Sequence, residues 1–460
     1  MEQLLRTLLR IPEAAALSAA VENGGCPAAV TGLAPVHRAQ MAAALALDTG
    51  RSLVAVCDHE GEANRLAEDL EVLLGKPCRK LYGRELFIRA GTVASRQWEL
   101  ERVATLYELS QGRCPLLVCT AEGLLQLTSP PQRLGQAALT LSPGDRQDLG
   151  RLPGLLVEAG YTRCDQVEGV GQFALRGGIL DVYSPMMAEP VRCEFFDDEI
   201  DSLGSFDTTT QRRTGNLSSA LLLPAVELLP GAGLASAFDY LPPDALLCVS
   251  ETGRVSERVK NVLWQAREDT ESLLAAGEKN GDLVSLLLTQ SGWLEELERF
   301  PVCMMEALPT SRYPLAPRTL LSISAKQLSA YGGSIDTAAS DLEHYRSTGC
   351  AAVLLCGSEA RCRSMQRMLR ERGARRSGLC LRCHAGGRGG APGCRGALRR
   401  GGVSPAEPGH PYRGAADDGL RREAGQAPLH KKGQPSEAAQ LHGSDAGGPG
   451  GPYPPRRRPL

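Results

Sequence analysis

The chain has 460 residues, with 51 Lys and Arg against 53 Asp and Glu, 42% hydrophobic and 4% aromatic residues. That is enough for two to four domains with real cores. No stretch approaches the roughly 20 uncharged apolar residues of a membrane span, and no apolar leader follows Met1, so membrane insertion and export are not expected and a soluble cytoplasmic chain is.

The first element with functional bearing is Ala29–Val36. It sits where an α/β ATPase carries its phosphate loop, a short apolar run turning into a helix. Thr31 and Gly32 fit that turn, but Ala34, Pro35 and Val36 stand where the second glycine, the lysine and the Ser/Thr belong. Without a cation for the β and γ phosphates or a hydroxyl for Mg²⁺, a loop of this kind does not bind nucleotide productively.

The run Leu53–Cys57 then predicts a strand, Asp58 a cap, and Ala63, Leu66, Ala67, Leu70, Leu73 and Leu74 an amphipathic helix ending at Gly75. The pattern recurs at Leu116–Cys119 with Thr120, at Leu246–Val249 with Ser250, and at Val353–Cys356 with Ser358 and a helix to Gly373. Four such strand-helix units predict parallel α/β layers. Several of the 15 cysteines (Cys57, Cys119, Cys248, Cys356) end these apolar runs. There a thiol behaves as a small hydrophobe, and disulfides are not expected.

Residues 160 to 215 break the pattern. Alternation with period two, paired glycines at Gly177-Gly178 and the lack of a helical stripe predict an antiparallel β-rich insertion, with Phe173 and Leu175 on one face and Ala174 and Arg176 on the other. The acidic run Asp197, Asp198, Glu199 and Asp201 lacks a histidine or second carboxylate cluster at ligand spacing, so it reads as a hairpin tip or a solvated face and not as a metal site. After the polar stretch 308–318, the last strand-helix unit is expected to open a small separate domain.

From residue 377 onward the composition shifts to 19 Gly, 11 Pro and 11 Arg in 84 residues, with 13 basic residues against 6 acidic. Such a segment buries too little apolar surface to offset chain entropy and is expected to be disordered. Cys380, Cys383 and His384 spell C-x-x-C-H, the haem-attachment pattern, and Cys394 invites a zinc reading. Haem attachment needs export and zinc a fourth ligand, so a metal- or haem-binding protein is a secondary alternative.

The stretch from Gly160 through Asp165, Phe173, Arg176-Gly177-Gly178 and Asp181 to Tyr183, followed by Pro190–Asp201 and Phe206-Asp207, resembles the second domain shared by the excision-repair protein UvrB and the bacterial transcription-repair coupling factors. Pro224–Glu227, Tyr331–Asp336 and the lost phosphate loop are similar to the coupling-factor branch. The sparse aromatics of residues 81–112 (Tyr82, Phe87, Trp98, Tyr107) do not make the stacking hairpin with which UvrB probes damaged DNA. A UvrB-like damaged-DNA-binding ATPase is the other alternative.

The resemblance implies a RecA-like α/β scaffold in two parts, 1–124 and 216–317, around a UvrA-interaction domain at 125–215, with a partial small α/β domain at 318–376 and the tail at 377–460. It implies UvrA as partner, through Arg163 and Arg176 with Phe173 and Gly177 beside them. It implies no catalytic residue, no metal and no cofactor for this chain. ATP and Mg²⁺, RNA polymerase and double-stranded DNA belong to family domains beyond those matched, where the family motor is an ATP-dependent DNA translocase. The tail back-translates, with a one-nucleotide shift, into the opening of the family's polymerase-interaction domain. A frameshift between Arg370 and Cys380, and so a truncated family member, is therefore expected.

Overall fold

A computed structural model describes residues 1–86, 96–277, 282–325, 334–350, 352–356, 359–372 and 379–383. The chain forms β1 (Ala28–Thr31), β2 (Leu53–Cys57), β3 (Arg79–Leu81) and β4 (Leu116–Thr120), then leaves that sheet for β5 (Leu139–Leu141), β6 (Thr162–Arg163), β7 (Gln172–Arg176) and β8 (Ile179–Val182). It continues through β9 (Val191–Phe196), β10 (Glu199–Phe206), β11 (Arg213–Asn216) and β12 (Ala220–Leu222) and returns as β13 (Leu246–Ser250), β14 (Val302–Met305) and β15 (Thr319–Ser322). The first and last groups make one parallel sheet in the order β15-β1-β14-β13-β2-β4-β3.

This sheet is buried on both sides, which is why its strands read as continuous apolar runs. Val54, Val56, Leu117 and Cys119 point into one core, with the helices Gln97–Ser110 and Thr252–Ala275. Leu53, Ala55, Cys57, Leu116 and Val118 point into the other, with the helices Pro35–Thr49 and Glu60–Leu74. In Glu60–Leu74 the buried residues Ala63, Leu66, Ala67, Leu70 and Leu73 make the expected stripe, and Gly75 ends the helix at φ +66°.

The caps differ in part from expectation. Thr120 does cap, accepting the Gly123 N–H at 3.2 Å. Asp58 does not, because its carboxylate holds the His59 ring at 2.6 Å and His59 takes the cap position. Ser250 donates instead to Glu62 at 2.6 Å, and the next helix starts from Glu251 in the left-handed region.

The insertion is a six-stranded sheet in the order β11-β10-β9-β8-β7-β6, antiparallel except for the β6–β7 pair. Phe173, Leu180, Val182, Val191, Cys193, Ile200 and Leu203 cover one face and join Leu152 and Leu156 of the helix Leu152–Glu158. Ala174 lies on the other face, against Val167 and Phe206. The antiparallel β5–β12 ladder closes the unit, so its paired strands span 139 to 222, past the expected limit at 215.

Two further expectations are corrected. The stretch 308–318 leads first to β15, an edge strand of the large sheet paired with β1, so the small domain begins beyond it. Thr319–Ser322 is a bare four-residue strand with no helix directly after it, and a strand-helix search passes over it. In the small domain β16 (Ala352–Cys356) pairs in parallel with β17 (Leu379–Cys383), against the helices Ile335–Ser347 and Glu359–Glu371. β17 falls within the segment expected to be disordered; an 84-residue composition average conceals the apolar alternation of Leu379 and Leu381. Residues 384–460, Tyr331-Gly332-Gly333 and Phe87 lie outside the described residues.

Candidate functional site

Two places in this framework carry potential chemistry. The first is the turn after β1. Thr31 is buried, and Gly32 adopts φ +87°, with space for a Cβ only 1.9 Å from the Ile323 carbonyl oxygen. Leu33 is buried and gives its N–H to the Glu306 carbonyl at 3.0 Å. Ala34 is the cap position and Pro35 the first helical residue, followed by Val36. A phosphate loop keeps its amides turned toward the ligand. Here a leucine fills the turn, one amide is already engaged and a proline supplies none.

The next turn of that helix contributes Arg38, which is buried. It pairs closely with Glu251 and lies 3.3 Å from Glu62. Glu306 beside them accepts the Thr252 N–H at 3.0 Å and the Thr252 hydroxyl. Burial raises the affinity of Glu62 and Glu306 for protons above that of ordinary carboxylates. Arg38 is thus consumed by protein carboxylates at the end of the sheet where the phosphates of a nucleotide would lie. Replacing Gly32 with alanine is expected to cost about 1–3 kcal/mol, since it combines a left-handed backbone with a collision against main chain. Chemical unfolding checks this, and a variant as stable as the parent would contradict the packing described.

Among the described residues, Asp58, His59 and Glu62 are a trio able to reach one metal ion. Glu62 is already bound by Arg38 and Ser250, so one of the three donors is spent. Side chains of the tail cysteines lie outside the description.

The second place is the outer face of the inserted sheet. The two-residue turn Gly177-Gly178, with Gly177 at φ +60°, pairs Arg176 with Ile179, and period two then sets Asp181, Arg192, Glu194 and Phe196 on the same side. Asp181 is the anchor. Its carboxylate is 1% exposed and accepts from Arg176 at 2.7 Å and from Arg192 at 2.7 and 2.9 Å.

Arg192 also lies 4.7 Å over the Phe206 ring and donates to the Gln211 carbonyl at 3.1 Å. Its proton is held more firmly than usual, first because of the Asp181 hydrogen bond. Arg176 remains 53% exposed, so part of its fork is open to a partner. At the edge of this face Phe196 is 80% exposed, immediately before the Asp197-Asp198 turn, which is the expected hairpin tip with Asp197 at φ +58°.

The residues expected at a partner surface are thus divided. Arg176 is on the open face and Gly177 forms its turn, with nothing near the position of a Cβ. Phe173 is fully buried in the domain core and offers a partner no surface. Arg163 is exposed on the edge strand β6 but stands in register with Phe173, on the side away from Arg176. Arg176 pairs with Asp181. Arg192, Phe196, Ile179 and Asp181 were not singled out from sequence. Alternation counted outward from Arg176 through the two hairpins is the signal that finds them.

Residues 139–228 match the family model of the UvrB interaction domain. The chain is 23% identical over 400 residues to the transcription-repair-coupling factor of Bacillus subtilis strain 168. It is 24% identical over 406 residues to that of Staphylococcus aureus strain MRSA252, and 24% identical over 401 residues to that of Staphylococcus haemolyticus strain JCSC1435. Each alignment covers 74% of this chain and 34% of the relative, so the chain spans about a third of the length of the curated relatives it matches. A hypothetical ATP-dependent RNA helicase from Sulfolobus tokodaii aligns over 84% of both chains at 7% identity with a TM-score of 0.25, too weak a likeness to carry an argument. The inserted sheet and its flanks are thus similar to a UvrB interaction domain, in a chain that is similar over 74% of its length to transcription-repair-coupling factors.

Proposed function

We propose that this chain acts as a docking module of transcription-coupled nucleotide excision repair, in which the open face of the inserted sheet binds UvrA. The observation that carries this reading is the pair Arg176 and Arg192 fixed on the buried Asp181, on the same face of the sheet as the exposed Phe196. A guanidinium fork held in place loses little freedom on binding a partner carboxylate, and an aromatic side chain on the same face supplies apolar contact. Interface hot spots are built from such pairs. The match to the UvrB interaction domain names the kind of partner.

In this reading the α/β domain is a scaffold that turns over no nucleotide and needs no cofactor. Arg38, bound by Glu62 and Glu251, supports this, as do Leu33 and Pro35 in the turn. Adding millimolar ATP with Mg²⁺ to the purified chain is therefore expected to leave its melting temperature unchanged. A site with a micromolar Kd would add roughly 4 kcal/mol at that concentration, so a clear rise would favour the UvrB-like ATPase reading. Contacts with RNA polymerase and double-stranded DNA are assigned to parts of the relatives that this chain does not match. No helix among the described residues is long and apolar enough to cross a membrane; a cytoplasmic site of action belongs to this proposal. Retention of UvrA on the immobilised chain, lost on Arg176→Glu, tests the docking function directly.

A further inference from the structure

The small domain carries a charged face that neither the scaffold nor the docking sheet uses. Its helix Glu359–Glu371 holds four arginines and two glutamates in 13 residues. Cys362 and Leu369 are buried, and Leu369 and Met365 pack with Leu354 of β16 and Ala339 of the helix Ile335–Ser347. Turning this side inward decides what faces out. Arg363, Arg367 and Arg370 stand at i, i+4 and i+7, within about 60° of one another at 3.6 residues per turn, and all three are exposed. They run roughly 10 Å along the helix axis.

Arg372, just past the helix and about half a turn round from the three, is taken by Asp336 of the helix Ile335–Ser347. The acid that this neighbour supplies is thus spent on the side away from the stripe. Among the described residues no ion pair engages Arg367 or Arg370.

The make-up of the face selects the partner. Ala360, Arg361, Ser364 and Glu371 are the other exposed residues of the helix, and none of its large apolar side chains is exposed among the described residues. The docking sheet differs, since it shows Phe196 and Ile179. A protein interface draws its energy from an apolar or aromatic centre, which this face does not supply. It also lacks an aromatic ring on which an unpaired base could stack. Guanidinium forks in a row suit phosphate oxygens, which accept paired N–H donors across a hydrated and strongly charged interface.

We propose that Arg363, Arg367 and Arg370 form a contact site for the phosphate backbone of a nucleic-acid duplex, without regard to base sequence. The site belongs to the small domain of this chain and adds to the duplex contacts assigned above to unmatched parts of the relatives. It does not depend on the docking of UvrA.

The test is fluorescence anisotropy of a labelled duplex of about 20 base pairs with the full chain, from about 50 to about 200 mM salt. The 11 arginines from residue 377 onward also attract a duplex, so the reading is the difference between parent and variant. Arg363→Gln, Arg367→Gln and Arg370→Gln together should make the slope of log K against log salt shallower by about 2.7, and should weaken binding at least about tenfold at the lowest salt. Arg367→Gln alone should remove about 0.9 of that slope. Two duplexes of unrelated sequence should bind alike. Circular dichroism should be unchanged, because all three side chains are exposed. Equal affinity and slope in parent and triple variant would overturn the assignment, as would a parent chain that binds no duplex. Loss of polyglutamate binding in the triple variant with duplex affinity unchanged would overturn it in favour of an acidic protein partner.

Discussion

Replacement of Glu227 by alanine is expected to lower the stability of the chain by about 3–5 kcal/mol, the usual consequence of removing one member of a buried ionic group. Glu227 is fully enclosed. Its carboxylate accepts from Arg102 at 2.7 and 2.9 Å and from Arg84 at 2.8 Å, and both guanidiniums are buried. Arg102 also donates to the Gly123 carbonyl at 2.9 Å, and Arg84 to the Leu127 carbonyl at 2.9 Å. The Glu227 N–H donates to Glu99 at 3.1 Å. The group therefore fastens the segment leaving the β domain to three parts of the α/β domain. Without Glu227, two cations stay buried with nothing but carbonyl oxygens as partners.

The sign of the pH dependence follows. Burial opposes ionisation of Glu227, but the Arg102 and Arg84 charges outweigh it and its pKa is lowered from 4.5. A carboxylate held lower in the folded state adds stability that is present above its unfolded pKa and is lost as pH falls through the folded value. The parent chain should lose this contribution below about pH 4.5, and Glu227→Gln should show a flatter profile there. Urea unfolding of parent, alanine and glutamine forms across that range is the check. An alanine variant within about 1 kcal/mol of the parent would mean that the joint is not held by this group.

The second large effect concerns binding. Arg176→Glu combined with Phe196→Ala is expected to weaken the proposed complex with UvrA by at least about 100-fold, the scale of losing a charged contact and an aromatic anchor together. Both side chains are exposed, so circular dichroism and the melting temperature should stay near those of the parent. Arg163→Glu, across the sheet from this face, should change affinity by less than about threefold, as exposed charges outside an interface do. Equal losses from Arg163→Glu and Arg176→Glu in surface plasmon resonance would place the contact on the sheet edge instead.

The large sheet was readable because strands buried on both faces leave unbroken apolar runs. The inserted sheet announced itself through alternation. Less legible were contributions defined by partners far along the chain. Glu227 looked like part of a family signature, yet its role depends on Arg84 and Arg102, more than a hundred residues away. Phe173 and Arg176 are three residues apart in one strand, so alternation alone puts them on opposite faces, and of the two only Arg176 is exposed. Arg192 and Phe196 were hidden because the anchor they share a face with, Asp181, is a buried carboxylate that only the paired strands reveal. The turn after β1 was the reverse case. Missing groups are visible in sequence, whereas Arg38 and its carboxylates emerge only from the fold.

The most direct measurement is a calorimetric titration of purified UvrA into the full 460-residue chain in the absence of nucleotide. A docking module with a preformed face should give a saturable heat with a Kd of about 1 μM or tighter, abolished by the Arg176→Glu, Phe196→Ala double substitution. A flat titration with the folded parent chain would contradict the account.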